Sequence, residues 1–196
     1  MINQRTLAVL MALSFSVLRV DGLTRQTDER RLDNLVPGQV PIKIEISHEN
    51  KKIFRDLANE HWLRDFELVV TNTGDKPIYL LVLVFTLPEV RMPDGNLYGF
   101  SLIYGRGDFI NLGTSVKPDD RPLGPGDRHS FKIPEHVVEG WEIYTGREHP
   151  TPTRVEIAFQ YLSFGDDTGF RGLSAGPFSL WNPLPRNDQL PASFPS

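Results

Sequence analysis

The sequence of 196 residues contains no cysteine, so disulfide bonds, thiolate-ligated zinc sites and cysteine nucleophiles are excluded. It has no apolar run that approaches the about 18 residues of a clear membrane-spanning helix. Positive charge is not in excess either, because 21 Lys and Arg stand against 25 Asp and Glu and give a formal net charge of −4. This balance argues against nucleic acid as a partner.

The remaining composition is typical of a folded globular protein. Hydrophobic residues make up 39% of the chain and charged residues 23%, which leaves enough apolar material for a core. The length corresponds to one domain, or to two domains only if both are small.

The chain begins with a hydrophobic segment behind a basic start. Arg5 precedes the stretch LAVLMALSFSVL at residues 7–18, an order typical of a secretory signal peptide with cleavage after Gly22. The alternative is an uncleaved anchor, or a helix that docks on a partner. An anchor would need flanking help or protein contacts, because about 14 helical residues span only ~21 Å of a ~30 Å hydrocarbon core. We expect an exported protein that is periplasmic, extracellular or membrane-associated, with residues 1–20 as its membrane contact.

Apolar and polar residues alternate along several short stretches, and this period of two is typical of half-buried strands. The predicted strands are residues 40–46, 66–71, 78–87, 98–104, 128–133, 154–164 and a short strand around Phe170. The turn sequence NTGDKP at residues 72–77 predicts a hairpin between the second and third of these strands. Seven short strands with Gly- and Pro-containing turns predict an all-β protein, an immunoglobulin-like antiparallel β-sandwich.

The predicted sandwich is one of four parts of the chain. These parts are a signal peptide or hydrophobic anchor at residues 1–22, a charged, exposed lead-in at 23–39, the sandwich at 40–175 and a Pro-rich extended tail at 176–196. Within the sandwich, residues 48–61 are expected to form a short helical turn or an irregular crossing, and residues 134–144 a helical turn introduced by Pro134.

Three stretches carry a resemblance to known proteins. They are NEHWLRDFELVVTNTGDKPIYLLVLVFTLPEV at residues 59–90, PLGPGDRHSFKIP at 122–134 and QYLSFGDDTGF at 160–170. Together they resemble a group of exported, uncharacterised bacterial proteins with an immunoglobulin-like β-sandwich, over roughly residues 35–175. The resemblance implies fold and export, and it assigns no catalytic or binding role to any residue of this chain.

No motif in the sequence predicts catalysis or cofactor binding. The five histidines lack the spacing of a helical zinc site, and no serine lies in a Gly-x-Ser-x-Gly nucleophile elbow. Asp94 and Asp166 lie in turn sequences and are open to two interpretations, as calcium ligands or as acceptors of hydrogen bonds within the turn. We therefore expect a protein that is not an enzyme and has no resident metal or cofactor.

One predicted strand is apolar on both faces, whereas a sandwich strand usually presents one face to water. One face carries Tyr79, Leu81, Leu83 and Phe85, and the other carries Ile78, Leu80, Val82 and Val84. An uncovered apolar face of this size is an association site. Its cover is either residues 135–144, which contain Trp141, or residues 52–63, or another chain.

These features predict a non-catalytic, extracytoplasmic protein-interaction module with a protein partner at the cell envelope, acting as an accessory or structural subunit of a membrane-associated assembly. The predicted interaction surface comprises Tyr79, Leu81, Leu83, Phe85, Trp141 and Trp181. The alternative is a carbohydrate- or cell-wall-binding module that uses exposed aromatic residues. The aromatic residues considered for binding are Trp62, Tyr98, Phe100, Tyr104, Trp141 and Trp181, which a sandwich would otherwise bury in its core.

Overall fold

The computed structural model describes residues 29–145 and 151–179. In these two ranges the chain forms nine strands, two α-helices and one 3₁₀ helix. The strands are β1 (Arg31–Asn34), β2 (Ile42–Ile46), β3 (Glu67–Asn72), β4 (Leu80–Arg91), β5 (Leu97–Gly105), β6 (Arg128–Lys132), β7 (Arg154–Ser163), β8 (Thr168–Arg171) and β9 (Gly176–Ser179). The helices are α1 (Lys51–Arg55), α2 (Glu135–Thr145) and the 3₁₀ helix Gly107–Ile110.

The strands form two sheets. The larger has the order β5-β4-β7-β8-β9, with β1 added beside β7, and the smaller has the order β2-β3-β6. Every pairing is antiparallel except that of β1 with β7. The architecture confirms the predicted all-β sandwich, and each of the seven predicted strands is present.

Side chains from both sheets form one buried cluster. β3 supplies Leu68 and Val70, and β4 supplies Leu81, Leu83 and Phe85, all with 0% of their surface exposed. The alternation of apolar and polar residues that predicted these strands therefore reflects side chains that point in turn into this core and towards the outer faces of the sheets. The core lies between the two sheets, as in other sandwiches.

Helix α2 packs its apolar side on the same core. Pro134 precedes the helix, at a position where an N–H group would have no partner within the helix, so its missing N–H costs no hydrogen bond. Its carbonyl accepts hydrogen bonds from the backbone N–H groups of Val137 and Val138. Val138 and Trp141 are three residues apart, share one helix side and are both buried. The helical turn predicted at residues 134–144 is thus present as an eleven-residue helix.

The hairpin predicted at residues 72–77 is wrong, because β3 and β4 belong to different sheets. The buried side chain of Asn72 fixes this crossover instead. Its Nδ2 donates hydrogen bonds to the carbonyls of Lys76 and Leu123, both at 2.8 Å, and its Oδ1 accepts one from the N–H of Gly74 at 3.0 Å. Turn residues that suit a hairpin therefore carry the chain from one sheet to the other.

Two strands form in segments for which the sequence predicted no strand. β1 lies in the predicted lead-in and runs parallel to the first half of β7, with Arg31 opposite Arg154. β9 lies at the start of the predicted tail and pairs with β8. Each has only four residues, too few for an alternating apolar pattern to show in the sequence.

Candidate functional site

Four of the predicted interaction residues lie in the core and not on the surface. Leu81, Leu83 and Phe85 are 0% exposed, and Trp141 is 1% exposed. They share one buried cluster with Leu68 and Val70 of the smaller sheet, so this face of β4 is the inner face of the sandwich. These four residues therefore do not form an interaction surface, and Trp181 lies outside the described residues.

The opposite face of β4 is covered by the chain itself. Leu80 and Val82 are buried under Phe109 of the 3₁₀ helix, and the half-buried Tyr79 and Tyr161 pack around them. The hydroxyl of Tyr161 donates a hydrogen bond of 3.1 Å to the carbonyl of Phe109, which holds this cover in place. Tyr79 thus belongs to this second cluster and not to the face of Leu81 on which the sequence placed it.

Of the two segments proposed as intramolecular cover, the 52–63 segment packs on Phe85 and α2 packs on the 52–63 segment. The Trp62 ring from the 52–63 segment lies stacked 6.4 Å from that of Phe85, and Trp141 of α2 meets Trp62 at 6.1 Å. Intramolecular contacts therefore cover the inner face of β4 and the outer face at Leu80 and Val82. Because Trp62 and Trp141 are almost fully buried, neither indole is available to stack on a sugar.

A surface groove lies between β5 and α2, which we name the aromatic groove. Its volume is 460 Å³, which lies within the ~300–1,000 Å³ range of ligand clefts. It is lined by Met92, Pro93, Tyr98, Gly99, Phe100, His136, Val137, Gly140, Ile143 and Tyr144. Two of the aromatic residues considered from the sequence, Tyr98 and Phe100, thus meet at this site.

The aromatic groove lies against β5, which is an edge strand of the larger sheet. Tyr98, Gly99 and Phe100 are consecutive, and neighbouring side chains of a strand point to opposite faces. Tyr98 and Phe100 are two residues apart and share one face of β5, and Gly99 between them, which has no side chain, lines the cavity with its backbone. One edge of β5 pairs with β4, and among the described residues β5 has no second partner strand.

Contacts with the core hold the aromatic walls of the groove in place. The ring of Phe100 stacks on that of Phe85 with their centroids 4.6 Å apart, and Tyr98 meets Trp141 at 5.1 Å. The Tyr98 hydroxyl donates to the carbonyl of Val137 at 3.4 Å, and burial raises the pKa of this phenol above its ordinary value. Both hydrogen bonding and packing therefore fix these rings before any ligand binds.

Helix α2 contributes a gap and an exposed apolar side chain to the groove. A Cβ atom built on Gly140 would have no atom within 4 Å, so the missing side chain opens the groove. Ile143 lies one turn further along and is 67% exposed. Glycine inside a helix costs about 1 kcal/mol of stability relative to alanine, and a large exposed apolar side chain is typical of a binding surface.

The two carboxylates considered as calcium ligands are engaged in hydrogen bonds, those of Asp94 within its own turn. The carboxylate of Asp94 accepts bonds from the backbone and the side chain of Asn96, and these bonds lower its pKa. Asp166 accepts a bond of 2.8 Å from Nζ of Lys76, and others from Thr168. Burial works to raise the pKa of Asp166, but these bonds outweigh it and hold the pKa below its usual value.

The described residues contain no group of three or more His, Cys, Asp or Glu placed to hold a metal ion. Within residues 29–145 and 151–179, neither α-helix combines the length and the hydrophobicity that a membrane span requires.

The remaining aromatic candidate, Tyr104, is half-buried beside the ring of His129, 4.6 Å away, and does not reach the groove. The groove as a whole was missed from the sequence, because its two walls come from segments about 40 residues apart. The local signals were Gly140 inside a predicted helical turn and the aromatic residues Tyr98 and Phe100.

Comparison with protein-family models, with curated proteins and with solved structures finds no match to this chain. The resemblance to exported proteins with an immunoglobulin-like sandwich therefore stays a prediction.

Proposed function

We propose that this chain is a non-catalytic protein-interaction module that binds an extended apolar segment of a partner protein in the aromatic groove. The observation that carries the proposal is the combination of an edge strand with an apolar groove that lies against the same strand. Strand addition at such an edge is a recurring way in which domains bind peptides.

The edge of β5 supplies backbone groups for a partner strand. Among the described residues β5 pairs only with β4, so the N–H and C=O groups on its other side are unmatched by a strand. A peptide that lies along this edge satisfies these groups and extends the larger sheet by one strand. Alternate side chains of the peptide then face the groove.

The side of the groove formed by α2 favours an apolar peptide. The gap at Gly140 admits a side chain of the peptide, and Ile143 is exposed beside it. Both main walls are apolar, from the rings of Tyr98 and Phe100 to Val137, and burying apolar surface against them stabilises a complex. The hydroxyl of Tyr98 already bonds to Val137, which leaves this ring to act mainly through its apolar face.

The N-terminal sequence supports an envelope location for this partner. A basic start and an apolar stretch at residues 7–18 are typical of a protein directed to the membrane for export. We therefore propose that the partner is exposed outside the cytoplasm, and that this chain is an accessory subunit of a membrane-associated assembly.

A selection from a phage-displayed library of random peptides tests the proposal. We expect enriched peptides to carry alternating apolar residues, to bind the full chain, and to lose at least about ten-fold in affinity on Gly140→Trp, which fills the groove. The matched control is Glu139→Trp, which places the same side chain on an exposed neighbouring position of α2 outside the groove.

Two outcomes would overturn the proposal. One is that no peptide is enriched, or that the enriched peptides bind wild type and Gly140→Trp equally well. The other is that a glycan array, run on the same variants, gives binding that is lost on Gly140→Trp while peptides give none. The second outcome would establish the carbohydrate-binding alternative at this groove.

A further inference from the structure

A second cavity, separate from the aromatic groove, is lined in part by a buried arginine. Arg30 is 1% exposed, and its guanidinium carbon lies 4.1 Å from the centroid of the Trp62 ring. The cavity has a volume of 530 Å³ and is lined by Arg30 together with residues of β1, β2, α1 and β6. It shares no lining residue with the aromatic groove.

The guanidinium of Arg30 is only partly satisfied by hydrogen bonds. Its Nε donates to the carbonyl of Pro152 at 3.0 Å, and Nη1 donates to the carbonyls of Phe54 and Asp56 at 2.7 and 3.3 Å. Nη2 is buried and has no hydrogen-bond partner in the described part of the chain. A buried donor without an acceptor is unfavourable, and more so when the group is charged.

Arg30 also lacks a counter-charge in direct contact. Within residues 29–145 and 151–179, no carboxylate forms an ion pair with it, and its acceptors are neutral carbonyls. Burial lowers the pKa of Arg30 to about 10, against the opposing effect of the Asp56 charge. The group therefore stays protonated at neutral pH and keeps a full positive charge in a buried position.

The lining of the cavity is strongly positive although the chain as a whole is acidic. Five Arg or Lys side chains and two Glu side chains give the lining a formal charge of +3, in a chain of −4. The five are Arg30, Arg31, Lys51, Arg55 and Arg128. The two carboxylates are already paired, Glu29 with Arg55 at 3.6 Å and Glu45 with Lys43 at 2.9 Å.

We propose that this cavity binds a small dissolved oxyanion, a phosphate or a carboxylate, and that the Arg30 side chain shifts on binding so that its buried Nη2 donates a hydrogen bond to the anion. Lys51 and Arg128 line the same cavity with exposed side chains and contribute charge to the same anion. The bound oxygen supplies both the missing acceptor and the missing counter-charge, and charge-assisted bonds of this kind are among the strongest hydrogen bonds in proteins. Arginine suits the role because its planar group matches the geometry of both anions.

Calorimetric titration of the full chain with inorganic phosphate, and separately with acetate, tests the proposal and distinguishes the two anions. We expect one of them to bind saturably, with a Kd of about 1 mM or tighter. The variants Lys51→Gln and Arg128→Gln, which alter exposed side chains, are expected to weaken binding at least about five-fold each. Lys132→Gln is the matched control, since it removes the same charge from an exposed position of β6 outside the cavity.

A spectroscopic readout reports on Arg30 itself without a variant that risks the fold. The guanidinium NMR signals of Arg30 are expected to shift on saturation with the bound anion. Three results would overturn the proposal: neither anion binds saturably, Lys132→Gln weakens binding as much as Arg128→Gln, or the Arg30 signals stay unmoved. In each of these cases Arg30 serves only to tie β1 to α1 and to Pro152.

Discussion

The rings of Phe85 and Phe100 lie nearly parallel, with their centroids 4.6 Å apart and their planes inclined by 16°. Phe85 is a fully buried residue of the sandwich core, and Phe100 lines the aromatic groove. One stack therefore joins the interior of the protein to its proposed binding surface. A partner segment in the groove contacts a wall whose position is set by the core.

The substitution Phe85→Ala is expected to lower the free energy of unfolding by about 3–5 kcal/mol, because it leaves a cavity under Trp62, Phe66 and Phe100. Urea unfolding followed by fluorescence measures the change. The control is Ile103→Ala, which shortens a side chain that is 57% exposed. It should change the free energy of unfolding by no more than about 0.5 kcal/mol. Equal effects of the two substitutions would show that β4 is not the centre of the core.

Asn72→Ala is expected to destabilise the fold by about 2 kcal/mol or more. It removes the acceptor of the Gly74 N–H and leaves the carbonyls of Lys76 and Leu123 without their buried donor. Thermal and urea unfolding of Asn111→Ala, an exposed position, gives the baseline for the loss of an asparagine side chain. If both variants unfold alike, the crossover between the sheets does not depend on Asn72.

Two glycine substitutions are expected to have opposite effects on the melting temperature. Gly140→Ala should stabilise the protein by about 0.5–1 kcal/mol, since the helix gains alanine and the new Cβ has open space. Gly105→Ala should destabilise it, because Gly105 has a φ of +85° and its Cβ would lie 1.9 Å from the carbonyl oxygen of Tyr79. A destabilising Gly140→Ala would mean that the groove is narrower than described.

His129 is expected to make the protein less stable in mild acid. Its ring is half-buried between Tyr104 and Phe131, and burial lowers its pKa below the ordinary value of about 6.5. The unfolded chain therefore binds the proton more readily, so this contribution to stability is complete above pH ~6.5 and declines as the pH falls towards the folded-state pKa.

Urea unfolding at a series of pH values measures this effect by comparing wild type with His129→Gln. The difference in the free energy of unfolding between the two proteins should fall as the pH is lowered through this window. NMR titration of the His129 ring signals gives the folded-state pKa directly. A ring that titrates at or above about 6.5 would contradict the prediction.

Much of the fold could be predicted from the sequence because its strands alternate regularly. The strand predicted at residues 154–164 matches β7 within one residue, since half of its side chains enter the core. β4 is longer than predicted, because it continues past Pro88 to Arg91. Its pairing with β7 ends at Thr86, and its register with β5 shifts between Leu87 and Arg91. At such an irregular edge position proline is tolerated.

The sites were harder to predict, because they depend on contacts between distant segments. The apolar second face of β4 suggested a partner, but Phe109 from a 3₁₀ helix covers Leu80 and Val82. Arg30 belongs to a charged segment that shows no pattern, and only the fold places its guanidinium against Trp62. Period and composition identify which residues are buried, and they do not identify which side chains meet.

Amide hydrogen exchange along β5 tests the central proposal most directly, with a library-selected peptide as the probe. If the peptide adds to the free edge of β5, backbone amides of residues 97–105 that do not bond to β4 should exchange more slowly in the complex. The same peptide should leave the exchange of Gly140→Trp unchanged. A peptide that binds tightly to wild type while the exchange of β5 stays as in the free protein would contradict the proposed binding mode.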